Sequence, residues 1–186
     1  MAEIRPKTWG LIQVYTGNGK GKTTAALGLA VRAIGAGKRV VWIAFDKGGE
    51  THYSEREIIR DRLAGIELHV TGLDRIDAQT GKFRMGVTPE DKEEGMRGLD
   101  LARKAFAETK ADLIILDEIN SSTSLGILDE PTVLDMIRMK PPDIELILTG
   151  RDAPQSFRDL ADLVTEMTLV KHYYYNNIGA REGLDY

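Results

Sequence analysis

Six short apolar runs, separated by stretches of helical period or by turn residues, constrain the fold of this chain more than any other feature. They are Gly10–Tyr15, Arg39–Phe45, Glu67–Thr71, Asp112–Asp117, Ile144–Thr149 and Leu163–Val170. Val40-Val41-Trp42-Ile43-Ala44 and Leu113-Ile114-Ile115-Leu116 do not alternate with polar residues, which is the pattern of strands covered on both faces. Between the runs, Leu27, Ala30, Val31 and Ile34 predict one inward stripe on a first helix, stopped by Gly35 and Gly37. Ser54-Glu55-Arg56-Glu57 has the spacing of a capping box in front of Ile58, Ile59 and Leu63. Thr88-Pro89-Glu90-Asp91 reads as an N-cap with proline at the first helical position, opening a helix with Met96, Leu99, Ala102 and Phe106 inward. Shorter helices are expected over 129–139 and 154–162, the first stopped by Pro141-Pro142. Strands alternating with helices through short connections imply a three-layer α/β fold, a mostly parallel sheet with helices on both faces. Without repeats or low-complexity linkers, residues 1–186 read as one domain.

The connection after the first run narrows the chemistry. Thr16-Gly17-Asn18-Gly19-Lys20-Gly21-Lys22-Thr23-Thr24 lies between a strand and a helix, and its glycines let successive N–H groups turn into one concavity. The helix behind it adds unsatisfied N–H groups and the positive end of its dipole. Gly21-Lys22-Thr23 is the end of a Walker A pattern, although Thr16 replaces that pattern's first glycine. Lys22 is placed to reach a terminal phosphate and the Thr23 hydroxyl to ligate Mg²⁺. The pattern calls for an acid at the end of a neighbouring strand, and Asp117-Glu118 after Leu113–Leu116 supplies it, binding the metal directly or through water. Arg151 ends the next strand on the carboxyl edge, where open α/β sheets bind ligands. It serves there either as a phosphate clamp or as a surface ion pair with Asp152 or Asp159.

Composition removes other chemistries. With no cysteine, the chain has no disulfide, no cysteine nucleophile and no cysteine-ligated zinc or iron–sulfur cluster. His52, His69 and His172 are too scattered for a histidine-rich metal site. A net charge of −4 argues against a dedicated nucleic-acid binder. No apolar run approaches the roughly 18 residues of a membrane span, and the N-terminus lacks a signal-peptide core, so a cytoplasmic protein with no membrane partner is expected.

A magnesium-triphosphate cradle leaves the reaction open. The same donors serve an ATPase, a kinase, or a transferase that breaks the ribose 5′-carbon bond with triphosphate as leaving group. Glu118 directly after Asp117 suits a water-activating base, which by itself favours hydrolysis. The chain, however, resembles the ATP:corrinoid adenosyltransferases, the cob(I)alamin or cob(I)yrinic acid a,c-diamide type. The resemblance runs through the glycine loop, Ala33-Ile34-Gly35-Ala36-Gly37-Lys38, Phe45-Asp46-Lys47-Gly48 and Leu116-Asp117-Glu118. It resumes at Thr149-Gly150-Arg151, Leu160-Ala161-Asp162, Val170-Lys171-His172 and the terminal Gly183-Leu184-Asp185-Tyr186. It implies a RecA-like P-loop fold and transfer of the 5′-deoxyadenosyl group of ATP to Co(I) of a reduced corrinoid. In that reaction the metal nucleophile needs no protein base. It further implies that residues 17–24 (Gly17, Asn18, Gly19, Lys20, Gly21, Lys22, Thr23 and Thr24) hold the triphosphate with Arg151, and that Thr23 and Glu118 hold Mg²⁺. Lys22, Thr23 and Glu118 are then the expected catalytic residues, with Asp117 as a further metal candidate. A small ATPase or kinase, or a nucleotide-dependent corrinoid carrier, is the alternative. A reductase partner and a homodimer are also expected.

One departure stands out. Where that family carries paired aromatics after Thr-Gly, Thr71-Gly72 is followed here by Leu73-Asp74-Arg75. Phe83 is the aromatic of the glycine-containing segment 72–87, expected to be a loop ordering over the corrinoid. The aromatic tail Lys171–Asn177 reads as packing over the sheet edge, with its place beside the corrin or at a dimer contact as the other reading. His172 reads as structural and Asp91–Glu94 as a solvated helix face.

Overall fold

The computed structural model describes residues 9–49, 53–75, 84, 86–108 and 110–185. The elements in order are β1 (Ile12–Thr16), α1 (Lys22–Gly35), β2 (Val40–Ala44), α2 (Glu55–Arg62), β3 (Ile66–Val70) and α3 (Pro89–Glu108). There follow β4 (Leu113–Asp117), α4 (Ile119–Ser124), α5 (Glu130–Arg138), β5 (Glu145–Thr149), α6 (Gln155–Leu160) and β6 (Leu163–Glu166). A short 3-10 helix, Tyr173–Asn176, lies in the tail. The strands make one sheet in the order β3-β2-β4-β5-β1-β6, and every pairing is parallel. The acid-bearing strand β4 is therefore not the neighbour of β1. β5 lies between them, and the expected adjacency of glycine loop and acid is made by side chains across one intervening strand.

Because side chains alternate along a strand, each central strand feeds two cores. Leu113, Ile115, Val40, Trp42 and Ile147 face α1, while Ile114, Leu116, Ile43, Leu146 and Leu148 face α3, α5 and α6. The two faces are covered differently. α1 buries Ala26, Ala30 and Ala33, and the predicted stripe is rotated, leaving Val31 44% exposed and Leu27 and Ile34 only partly buried. The sheet supplies the bulk there through Trp42, so the helix must present small residues to approach it.

α3 follows the same logic. Thr88 and Asp91 exchange main-chain N–H bonds with each other's side-chain oxygens, and Leu99, Ala102 and Phe106 are buried as expected. Met96, however, is 40% exposed, and the tightest positions of the helix are Gly95, against Ile127 and Leu128, and Gly98. A β-carbon on Gly98 would overlap the buried Phe45 ring. Of the run 91–94, Lys92 and Glu93 are exposed as expected, but Asp91 is not. Asp91 is buried and accepts from both terminal nitrogens of Arg84 at 2.9 and 2.6 Å, with Arg75 at 3.7 Å. These bonds, led by Arg84, hold its carboxyl well below the usual carboxylate range. Ser54 does precede α2, but in helical geometry and without a side-chain cap. On that helix Ile59 is buried and Ile58 exposed.

Candidate active site

All six strands end on one edge, and the candidate residues gather there. After β1 the backbone enters the left-handed region at Gly17 (φ 92°) and again at Gly21 (φ 113°), the residue preceding α1. At Gly17 a β-carbon would also stand 2.5 Å from the Met167 carbonyl oxygen, so the site requires glycine twice over. The loop is tied to the chain leaving β6 by a 2.6 Å bond from Gly19 N–H to the Met167 carbonyl. Lys22 is buried rather than facing solvent. Its ammonium folds back into the loop and donates to the Gly17 and Gly19 carbonyls, both at 2.7 Å. Burial pushes its pKa down, against the attraction of Glu118.

The acid end is more crowded than its sequence implies. Asp117 is 1% exposed, with its oxygens committed to three donors. Thr149 Oγ1 donates to Oδ1 at 2.5 Å, Thr23 Oγ1 to the same oxygen at 3.1 Å, and Lys47 Nζ to Oδ2 at 2.5 Å. Lys47 also reaches the Thr23 hydroxyl oxygen at 3.3 Å. Burial alone would lower the lysine's pKa, but the Asp117 and Glu118 carboxylates outweigh it and hold it above its ordinary value. Glu118 sits at φ 62°, its N–H bonded to Thr149 Oγ1 at 3.0 Å and its carboxylate accepting from Ser121. Asp46 and Asp152, just beyond β2 and β5, share its left-handed backbone. Such conformations cost roughly 1–3 kcal/mol each and concentrate at functional sites.

A cavity of about 720 Å³ opens over this edge, lined by residues 18–24 of the loop, Glu118, Arg151 and the tail. Arg151 is exposed into it, and among the described residues no ion pair joins it to Asp152 or Asp159. The tail is tied to the glycine loop. Asp185 accepts from Lys20, from the Tyr173 hydroxyl and from Arg181, bonds that hold its carboxyl well below the usual range. Tyr173, Tyr174 and Tyr175 thereby line the same cavity as the glycine loop. His172 accepts from Tyr174 N–H at 3.0 Å, in keeping with a structural role, and His69 meets Glu67 at 2.8 Å. His52, Phe83 and most of the segment around it lie outside the described residues.

The structure thus brings together Gly17 to Thr24, Asp117, Glu118 and Arg151. Sequence reading did not single out Lys47, Thr149 or Asp185 as site residues. The available signal for Lys47 was a lysine just past a buried strand, at the edge where Asp117 ends its own strand.

A left-handed glycine loop between strand and helix, with a buried strand-end acid bonded to its threonine, defines a P-loop nucleotide-binding protein. A KaiC-like protein from Pyrococcus horikoshii OT3 shares the fold, with a TM-score of 0.52 over 88% of this chain and 75% of that one at 16% identity. The family model of the ATP:corrinoid adenosyltransferases BtuR/CobO/CobP matches residues 8–186, and the chain belongs to that family. It is 33% identical to the corrinoid adenosyltransferase of Escherichia coli K12, and 32% identical to the corrinoid adenosyltransferase CobA of Salmonella typhimurium LT2. Each alignment covers 95% of this chain and 86% of the relative. An uncharacterized protein of Nostoc is 38% identical over 92% of this chain, which spans only 47% of that longer relative.

Proposed function

We propose that the chain transfers the 5′-deoxyadenosyl group of ATP to the Co(I) centre of a reduced corrinoid and releases triphosphate. Family membership supports both the substrates and transfer over hydrolysis, and the buried strand-end acid Asp117 is not free to activate water. Asp117 has both oxygens bonded, and Glu118 accepts from Ser121. A Co(I) nucleophile needs no such base, so catalysis reduces to orientation and stabilisation of the leaving group.

In this reading the loop amides from Asn18 to Thr24, with Lys20 and Lys22, cradle the triphosphate, and Arg151, exposed in the same cavity, supports it. Lys22 moves its ammonium from the Gly17 and Gly19 carbonyls to the phosphates. Lys20 exchanges Asp185 for a phosphate oxygen. The oxygen donors at the loop end suit Mg²⁺, a hard cation that keeps several waters. Among the described residues no cluster of three acids or histidines would hold a metal unaided. Thr23 and Glu118 would therefore hold one that arrives with the triphosphate, with Asp117 standing behind Thr23. When bound, Mg²⁺ supplies neutralisation of charge on the departing triphosphate. The Tyr173–Tyr175 wall faces the cavity as an apolar surface for a flat ring. A reducing partner must deliver the Co(I) state, and residues 1–186 act as one catalytic domain, as a homodimer in the cytoplasm. No helix among the described residues is long and apolar enough to cross a membrane.

The test is product identity. With ATP, Mg²⁺ and chemically reduced cobalamin, triphosphate and a cobalt–carbon adduct form in equal amounts, and Glu118→Gln slows both together. Stoichiometric ADP without alkylated corrinoid, on chromatography of the reaction, overturns the proposal in favour of an ATPase or kinase.

A further inference from the structure

The cation nearest Asp117 belongs to the chain itself. Lys47 Nζ lies 2.5 Å from Asp117 Oδ2 and 3.3 Å from Thr23 Oγ1, and those two residues are bonded to each other at 3.1 Å. The hydroxyl and the carboxylate that a P-loop would offer to a divalent ion are thus already bridged by an ammonium. A metal sitting about 2.1 Å from the same oxygens would share them with a positive charge.

Lys47 is not placed there by a flexible reach from the surface. Its N–H is bonded to the Thr71 carbonyl at 3.0 Å, and its own carbonyl accepts from Arg56. Arg56 lies over the Tyr53 ring at 3.9 Å, and the Lys47 ammonium faces that ring at 5.5 Å from its centre. On the other side Gly48 is pressed against the backbone of Gly72 and Leu73, leaving no room for a β-carbon. Acid, threonine, tyrosine ring and backbone clamp fix the lysine from several directions, and it is buried. Glu118, by contrast, is bonded through its carboxylate to Ser121 and lines the cavity.

We propose that Lys47 is a positioning residue that permanently occupies the seat between Thr23 and Asp117, so that a divalent ion enters the site only together with the triphosphate, from the Glu118 side. The inference rests on the metal–ATP reading above. Its consequence is coupling: metal and triphosphate bind as a unit, and the site does not collect free metal that would have to be displaced before each turnover. Asp117 then acts through Lys47 and Thr23, orienting both, and does not ligate the ion.

Mn²⁺ is the probe, followed by electron paramagnetic resonance and by retention with the protein on ultrafiltration, with no corrinoid present. Wild-type protein is expected to leave Mn²⁺ free when it is offered alone, and to retain it when inorganic triphosphate is added. Lys47→Met unbars Asp117 and is expected to bind Mn²⁺ alone at least tenfold more tightly than wild type. The double variant Lys47→Met/Asp117→Asn loses that gain. Wild-type protein that binds Mn²⁺ alone as tightly as in the presence of triphosphate overturns the inference, whether or not Lys47→Met folds. So does a folded Lys47→Met with unchanged Mn²⁺ affinity. Failure of the parent reading appears separately, as wild-type protein that retains neither ATP nor triphosphate under any metal condition.

Discussion

Thr149→Val is the substitution whose cost the structure defines best. The hydroxyl of this fully buried residue donates to Asp117 Oδ1 at 2.5 Å and accepts the Glu118 N–H at 3.0 Å. Valine keeps the shape and removes both bonds. Loss of a hydrogen bond to a charged group is worth about 1.5–3 kcal/mol, and a partly buried amide left without an acceptor about 1–3 kcal/mol. Taken together, the two losses come to about 3–5 kcal/mol near the middle of those ranges. Against a total stability of about 5–15 kcal/mol this is a large fraction. At roughly 2 kcal/mol per molar of urea it moves the unfolding midpoint down by about 1.5–2.5 M. Thr149→Ser is the control, since it keeps the hydroxyl and loses one methyl group, worth about 1 kcal/mol. Glu118 also loses the bond that holds its left-handed backbone, so Thr149→Val should weaken metal-dependent ATP binding while Thr149→Ser leaves it near wild type. Urea melts and calorimetric titration with ATP read the two effects. If valine and serine variants unfold within 0.5 M urea of each other (about 1 kcal/mol at that slope), the hydroxyl bridge does not hold the acid in place, and the reasoning fails.

Lys22→Ala removes the ammonium assigned to the terminal phosphates and is expected to weaken ATP at least tenfold, about 1.4 kcal/mol or more, by calorimetry. Gly98→Ala drives a methyl group into Phe45, an overpacking cost of about 1–3 kcal/mol offset by roughly 1 kcal/mol of helix propensity, so a modest fall in Tm is expected. Asp91→Asn breaks the buried pairing with Arg84 and Arg75 and is expected to cost about 3 kcal/mol at pH 7. Its folded pKa lies below the unfolded value of 3.8, so the stabilisation is complete above that pH and is lost as the pH falls through and below it. The gap between wild type and variant in denaturant melts should therefore hold steady from pH 8 to 5, begin to narrow below about pH 4, and close only as the pH falls through the folded value.

What could be read from the sequence was what depends on short stretches of chain. Unbroken apolar runs marked β2 and β4, because a strand covered on both faces admits few polar residues. The phosphate cradle was legible because its glycines answer to backbone geometry within nine residues. The reciprocal Thr88–Asp91 cap was legible for the same reason, since its partners are three residues apart. Tertiary structure decided everything that depends on which strands lie side by side. Only the sheet order puts β5 between β1 and β4, and only that order brings Thr149 to Asp117 and Lys47 across 70 residues to the same carboxylate. The inward face of α1 could not be chosen from its own period either, because leucine and alanine stripes both fit a helix until Trp42 fills the space beneath it. The tail showed an aromatic tract and no sign of its anchor. Asp185 meets Lys20 from 165 residues away, and an ion pair at that separation leaves no periodicity, since it is set by how the fold brings the tail to the glycine loop and not by its neighbours along the sequence.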